Sequence, residues 1–192
     1  MQSIKPFLQR YTALPESDWQ AIAACFSQQV LPKGALLLEE GKICKHLYFI
    51  ESGLLRFFVW KDGTDITKFF TEAPYLFTSQ QSFTNLTPAR ESIEALEDSL
   101  LWQMSYEDAN RLLALPSWNT FVRKLIQEVQ YLTEEILSEI QTETAENRYR
   151  KMMAENPELL QRVPLRHLAS YLGIAPQSLS RIRKNLLPGK RT

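Results

Sequence analysis

Leu165-Arg-His-Leu-Ala-Ser-Tyr-Leu-Gly-Ile-Ala-Pro-Gln-Ser-Leu-Ser-Arg-Ile182 reads as two short helices meeting at a tight corner. Leu168, Ala169 and Leu172 fall at helical spacing, Gly173 can enter the positive-φ turn that ends a helix, and Pro176 suits the first position of a second one. On that second helix Leu179, Ile182 and Leu186 share one face, which leaves Gln177, Arg181 and Lys184 opposite. Ala169 is small enough to let the helices approach closely. Gln177, Ser178 and Arg181 in the first two turns stand where base edges are reached when such a helix enters a major groove, so the pattern predicts a DNA-reading helix-turn-helix. The alternative for an isolated Leu-x-x-x-Gly segment is an ordinary helix corner with a solvated charged side. Here the small residue, the glycine and the polar face coincide.

Charge points the same way. The chain balances 22 Lys and Arg against 22 Asp and Glu. From Thr144 onward, however, ten basic residues (Arg148, Arg150, Lys151, Arg162, Arg166, Arg181, Arg183, Lys184, Lys190 and Arg191) face three acidic ones (Glu146, Glu155 and Glu158), leaving twelve against nineteen for the rest. Basic charge is thus concentrated where a phosphate backbone would be met.

The 192 residues, 44% of them hydrophobic, suffice for one larger and one smaller core. No apolar run approaches the ~20 residues of a membrane span, and Met1-Gln-Ser-Ile-Lys-Pro6 lacks the apolar centre of a signal peptide, so a cytoplasmic protein without membrane contact is expected. Cys25 and Cys44 form no CxxC pair and read as packing thiols. Two histidines, His46 and His167, are too few for a cupin-type metal site, and neither a G-x-S-x-G elbow nor a phosphate-cradling glycine loop occurs. No enzymatic activity, metal or cofactor is expected.

Between Gln28 and Ser105 the chain reads as β-structure. His46–Ser52, Leu54–Trp60, Asp65–Thr71, Glu91–Ala95 and Leu100–Met104 are short and rich in aromatic and β-branched residues. Gly34, Gly41 and Gly53 punctuate them, and Lys61-Asp62-Gly63-Thr64 is placed to close a hairpin. Many short strands with glycines at the corners predict a barrel or roll. A small helix, Ser17 to Phe26 with Ser17 as N-cap, precedes it.

A helical stretch from about Ser117 to Glu155 follows. Val122, Val129 and Ile136 recur every seven residues, Leu125 and Leu132 form a second line, and Ile126 and Ile140 flank them. Such a stripe can pack on its own chain. With a reading head downstream it is better explained as the dimer seam Val122, Leu125, Ile126, Val129, Leu132 and Ile136, since a palindromic operator needs two heads about 34 Å apart. Asn156-Pro157 then breaks the helix.

These parts, taken together, resemble the cyclic-AMP receptor protein/Fnr (Crp/Fnr) family of bacterial transcription regulators over nearly the whole chain. The resemblance is carried by Lys33-Gly34 through Gly41, Tyr48 through Gly53 to Arg56, Glu146-Asn-Arg-Tyr149, and Pro164 through Arg183. It implies an α+β fold: a cyclic-nucleotide-binding-like β-roll (a double-stranded β-helix) over residues 1–115, a dimerisation helix over 116–143, and a winged-helix-like helix-turn-helix domain over 144–192. It further implies a homodimer reading a palindromic operator in double-stranded DNA through Pro176–Leu187, with RNA polymerase as a candidate further partner. Gln177 and Arg181 match the family's base-reading positions, Ser178 and Lys184 its backbone-contacting ones, Pro176 replaces an arginine, and Arg183 adds basic charge.

The likeness does not extend to cyclic AMP. Where nucleotide-binding members carry Gly-Glu and Arg-Ser, this chain has Phe77-Thr78 and Arg90-Glu91. A phenylalanine blocks close backbone approach, Thr78 offers no carboxylate to a ribose, and Glu91 would set a negative charge beside a phosphodiester. Tyr75, Phe77, Thr78, Phe83 and Arg90 are the candidate ligand residues, with Trp102 as a further wall, for an effector of unassigned identity or for none. The competing function is a cyclic-nucleotide-domain-like regulatory or scaffold protein that works through protein contacts alone.

Overall fold

A computed structural model describes residues 1–186. Leu187, Lys190 and Arg191, expected at a helix end and in a basic tail, lie outside the described residues.

Two four-stranded antiparallel sheets face each other. The first runs β1 (Ser27–Leu31), β8 (Ser99–Ser105), β3 (His46–Ser52), β6 (Tyr75–Phe77), and the second β2 (Leu36–Leu38), β7 (Ser92–Ala95), β4 (Leu54–Lys61), β5 (Thr64–Glu72). β3 and β4 are apolar almost continuously because each is covered on both faces. In β3, Tyr48 and Ile50 point between the sheets while Leu47 and Phe49 pack against helices. In β4, Leu55 and Phe57 point inward while Leu54 joins a separate cluster with the C-terminal helices. The strand period of two thus serves two cores at once. Five strands follow the sequence reading closely, whereas β1, β2 and β6 were not separable in it: β1 is Gln-rich, and the other two are three residues long. Asp62 (φ 52°) and Gly63 (φ 75°) are both left-handed between the paired Lys61 and Thr64, the two-residue hairpin that the Asp-Gly dipeptide announced. Gly53 is required by space, since a Cβ there would lie 2.1 Å from the Ser99 hydroxyl.

Helices α1 (Ile4–Gln9), α2 (Glu16–Ala23) and α4 (Tyr106–Arg111) cover the outer face of the first sheet with the start of α5 (Pro116–Thr142); α3 (Gln80–Asn85) bridges β6 and β7. The expected helix from Ser17 to Phe26 is corrected: α2 begins after Pro15, and the Ser17 hydroxyl bonds Asp18 instead of capping. The single helical stretch from Ser117 to Glu155 is also corrected. Glu143 is extended (φ −110°, ψ 145°), and Thr144 caps a new helix, α6 (Ala145–Glu155), by accepting the Asn147 amide. Asn156 then caps α7 (Pro157–Arg162), with Pro157 at its first position. α8 (Leu165–Leu172) and α9 (Pro176–Leu186) complete the described residues, and no strand follows α9 among them. Among the described residues no helix is long and apolar enough to cross a membrane.

Candidate nucleic-acid interface

α8 ends at Gly173, whose φ of 72° lets the Ile174 amide return to the Ala169 carbonyl at 3.0 Å. This left-handed cap turns the chain within three residues. Arg148, from α6, donates to the Leu172 carbonyl at 2.7 Å and so fixes the corner from behind. Ala169 and Leu179 are both fully buried where α8 and α9 meet, together with Leu168 and Leu172. Gln177, Arg181 and Lys184 are exposed on the side of α9 away from that contact, and Pro176 opens the helix. Ser178 is half-buried beside them. Arg183 does not join this face. It lies four residues after Leu179, on the flank of the buried side, and lines a groove with Tyr149, Met153, Pro157, Leu160 and Gln161.

The basic charge counted in the sequence is not all free. Arg150 pairs with Glu146, Lys151 with Glu135 and Glu139 of α5, and Arg162 with Glu72 and Glu97 of the sheets. None of Arg181, Arg183 and Lys184 has an ion-pair partner among the described residues. Arg148 and the exposed Arg166 also lack a carboxylate partner among the described residues, donating instead to the Leu172 carbonyl and to His167, so the cations free of carboxylates lie on α9 and on the corner behind it.

Behind the corner lies a buried polar cluster. Arg56, 3% exposed, bonds Glu94 (2.8 Å), Asp65 and the Thr67 hydroxyl, and lies over the Phe58 ring at 4.2 Å. His167 of α8, 2% exposed, packs against it with Nδ1 3.9 Å from Asp65. Its Nε2 accepts from Arg166 at 3.1 Å, which assigns the proton to Nδ1, and Nδ1 has no hydrogen-bond partner among the described residues. Burial holds His167 at about 4, below the ordinary imidazole range; Arg56 and Arg166 add to this, and Asp65 and Glu94 oppose it. Arg56 holds the Asp65 carboxyl below the usual range, against the opposing effect of burial.

The proposed dimer residues divide. Leu125 is 7% exposed because it belongs to the core formed by Trp118, Phe121 and the N-terminal helices, and Val122 packs on the edge of that core. Leu125 is thus taken up by its own chain. Ile126, Val129, Leu132 and Ile136 are 37–49% exposed, and Ile140, at 54%, extends the bare stripe.

Between the sheets, the ligand candidates do not line one chamber. Phe77 stacks on Tyr48 (5.6 Å) and meets Phe57 edge-on (5.9 Å), so aromatic rings occupy the interior. Thr78 donates to the His46 carbonyl at 2.9 Å. Glu91 accepts from the buried Ser79 hydroxyl at 2.6 Å and pairs with Lys68 at 3.6 Å, whereas Arg90 is exposed. Tyr75 and Phe83 touch both cores, packing on Phe7 and Tyr106. Trp102 is corrected as a wall residue: it faces the helices, its indole donating to Glu51 at 3.0 Å, because neighbouring Leu101 takes the inward position. Among the described residues no group of three or more His, Cys, Asp and Glu stands ready for a metal ion.

The residues missed by the sequence reading are those that join the two halves: Asn156, Arg162 and Ser170 on the C-terminal helices, Asp65 and Glu72 on β5, and Glu97 in the turn before β8. Their partners lie 65 to 109 residues away in sequence, and no local pattern marks them.

Residues 28–115 match the cyclic nucleotide-binding domain family. Among solved structures, a protein from Eubacterium rectale described as a transcriptional regulator of the crp/fnr family is 17% identical with a TM-score of 0.71, covering 90% of this chain and 83% of its own. FixK2 from Bradyrhizobium japonicum is 15% identical with a TM-score of 0.71, covering 84% of each chain. The catabolite activator protein of Thermus thermophilus is 22% identical with a TM-score of 0.58, covering 91% of this chain and 84% of its own. No curated protein matches significantly by sequence.

Proposed function

We propose that this chain, which carries a cyclic nucleotide-binding domain over residues 28–115 and has the fold of the Crp/Fnr regulators, is a DNA-binding transcription regulator that works as a homodimer on a palindromic operator. The observation that carries the reading is the exposed face of α9, where Gln177, Arg181 and Lys184 stand free of internal pairing above the buried Leu179. A helix presented in this way fits a major groove, with Gln and Arg near its start for base edges and Lys184 for a phosphate. The bare stripe from Ile126 to Ile140 supports pairing of two copies, since a monomer would leave these side chains in water.

Cyclic AMP is not its effector on this reading. Phe77 stacks on Tyr48 between the sheets, and Glu91 sets a carboxylate where the resemblance would place a phosphodiester, so both space and charge oppose a cyclic nucleotide. RNA polymerase is a further partner on the same reading, and the effector, if the protein has one, differs in chemistry from a cyclic nucleotide. The direct test is a titration of the purified chain with duplex DNA at two salt concentrations. Binding that weakens steeply with salt is expected. No binding at low salt would leave only the protein-contact role.

A further inference from the structure

The C-terminal helices are held against the sheets of their own chain far more completely than against α5. Arg162, at the end of α7, reaches three separate points. Its Nε and Nη2 donate to the two oxygens of Glu97 at 2.9 and 2.8 Å, Nη1 to Glu72 at 2.8 Å, and Nη2 also to the Gly53 carbonyl at 3.0 Å. The other oxygen of Glu72 accepts the Asn156 amide at 2.7 Å. A guanidinium fork engaged in this way fixes direction as well as distance, which a lysine could not do. Further along, Ser170 of α8 accepts the Thr67 amide at 2.9 Å and donates to the Asp65 carbonyl at 3.2 Å. β5 is the edge of its sheet, so one serine side chain stands in for the missing neighbouring strand. Leu54 and Leu96 of the sheets are buried in the same cluster as Leu159, Val163 and Leu168, closing the interface with apolar contact.

Toward α5 the attachment is different. Among the described residues Lys151 alone makes ion pairs to α5, with Glu135 and Glu139, over a groove of about 200 Å³ lined by Leu132, Ile136, Met152 and Tyr171. Glu143 and Thr144 between the helices are extended. The helical unit therefore rides on the sheets and is only strapped to α5. Because α9 stays exposed in this arrangement, docking does not hide the reading face; it aims it.

We infer that the clasp Glu72–Arg162–Glu97, with Ser170 on the open edge of β5, is a positioning device that sets the direction of α9 relative to the sheets, so that two subunits present their reading faces at a fixed separation. The inference rests on the DNA-binding reading for its consequence, and on the observed contacts for the clasp itself. Arg162, Glu72, Glu97 and Ser170 touch no DNA in this scheme. They act through the orientation of Arg181 and Gln177, and any event that shifts β5 or the turn at Glu97 against α5 is passed to α9.

Two variants test it, Arg162→Gln and the double change Glu72→Gln with Glu97→Gln, the second leaving the cation in place if the first compromises folding. Hydrogen exchange at the Thr67 amide reads the clasp without DNA. It should quicken at least tenfold, while the amide of Ile93 in the central strand β7 is unchanged. On the duplex recovered from a random pool, affinity should fall about tenfold as the aimed state becomes a minor one, with binding to scrambled DNA unaltered. Discrimination against a site lengthened by one base pair between half-sites should shrink, an effect that a merely less stable protein would not give. Retained Thr67 protection in both variants would overturn the clasp. Lost protection with unchanged affinity and spacing preference would overturn its positioning role. If the parent protein selects no duplex, the DNA reading fails while the exchange measurement still decides whether the clasp exists.

Discussion

At the scale of single residues, the proposed DNA contact rests on three exposed side chains of α9. Gln177, Arg181 and Lys184 stand apart from Leu179 by the helical period alone, and that arithmetic survives in the structure. The same arithmetic puts Arg183 on the flank of the buried face, where counting charge without angle had placed it with the others. Arg162 could not be read at all, because Glu97 and Glu72 lie 65 and 90 residues from it. Replacing Arg181 with Ala should cost about 1–3 kcal/mol per half-site and relax preference at one base pair, since an Arg fork fits the guanine O6/N7 edge. Lys184→Ala should weaken all sequences evenly and lower the salt slope by about one per subunit. Titration of both variants on selected and scrambled duplexes separates the roles; equal loss for Arg181→Ala on both would make it a phosphate contact. His167 gives a pH prediction. Its folded value, about 4, lies below the ordinary 6.5, so the unfolded chain binds the extra proton between them. The stability it contributes is complete above pH 6.5 and declines as pH falls toward 4. Melting curves across that window should show the decline in the parent protein and a flatter profile in His167→Gln, and identical profiles would contradict the burial of a neutral imidazole.

At the scale of elements, strands that are buried on both faces were plain in the sequence and strands at the edges were not. β3 and β4 carry long apolar runs because each serves two cores, while Ser27-Gln-Gln-Val-Leu31 and the three-residue β2 and β6 offer too little pattern. The long helix was legible in its stripe but not in its division of labour: heptad spacing cannot tell that Leu125 turns to the chain's own core while Ile126 and Val129 stay bare. Nor did periodicity reveal the break at Glu143, where a capping Thr144 restarts the helix. Val129→Glu would set like charges at the proposed axis. Sedimentation should then give monomers with weakened operator binding, and an unchanged dimer would remove this stripe as the seam. For the ligand side, calorimetry with cyclic AMP and cyclic GMP should give no saturable heat at micromolar concentrations, because Phe77 stacks on Tyr48 in the interior and the Glu91 carboxylate opposes a phosphodiester. Tight binding that also raised DNA affinity would reverse that assignment.

For the whole molecule, the fold resembles that of the Crp/Fnr regulators over most of the chain, and the sequence alone suggested it through glycine corners, stripe and corner helices in that order. What the order of parts could not convey is how charge is distributed among them. A C-terminal excess of basic residues reads as one electrostatic footprint, yet Arg150, Lys151 and Arg162 are paired with carboxylates, while Arg181, Arg183 and Lys184 on α9 are exposed without an ion-pair partner among the described residues. The basic charge left without carboxylate partners is therefore smaller than composition suggests. On the proposed dimer, two α9 faces related by a two-fold axis would require a symmetric target. Selection of bound duplexes from a random pool by the purified protein measures this directly. The account predicts recovery of a palindrome with its half-sites about one helical turn apart, and pools that stay random, or that converge on a single asymmetric half-site, would contradict it.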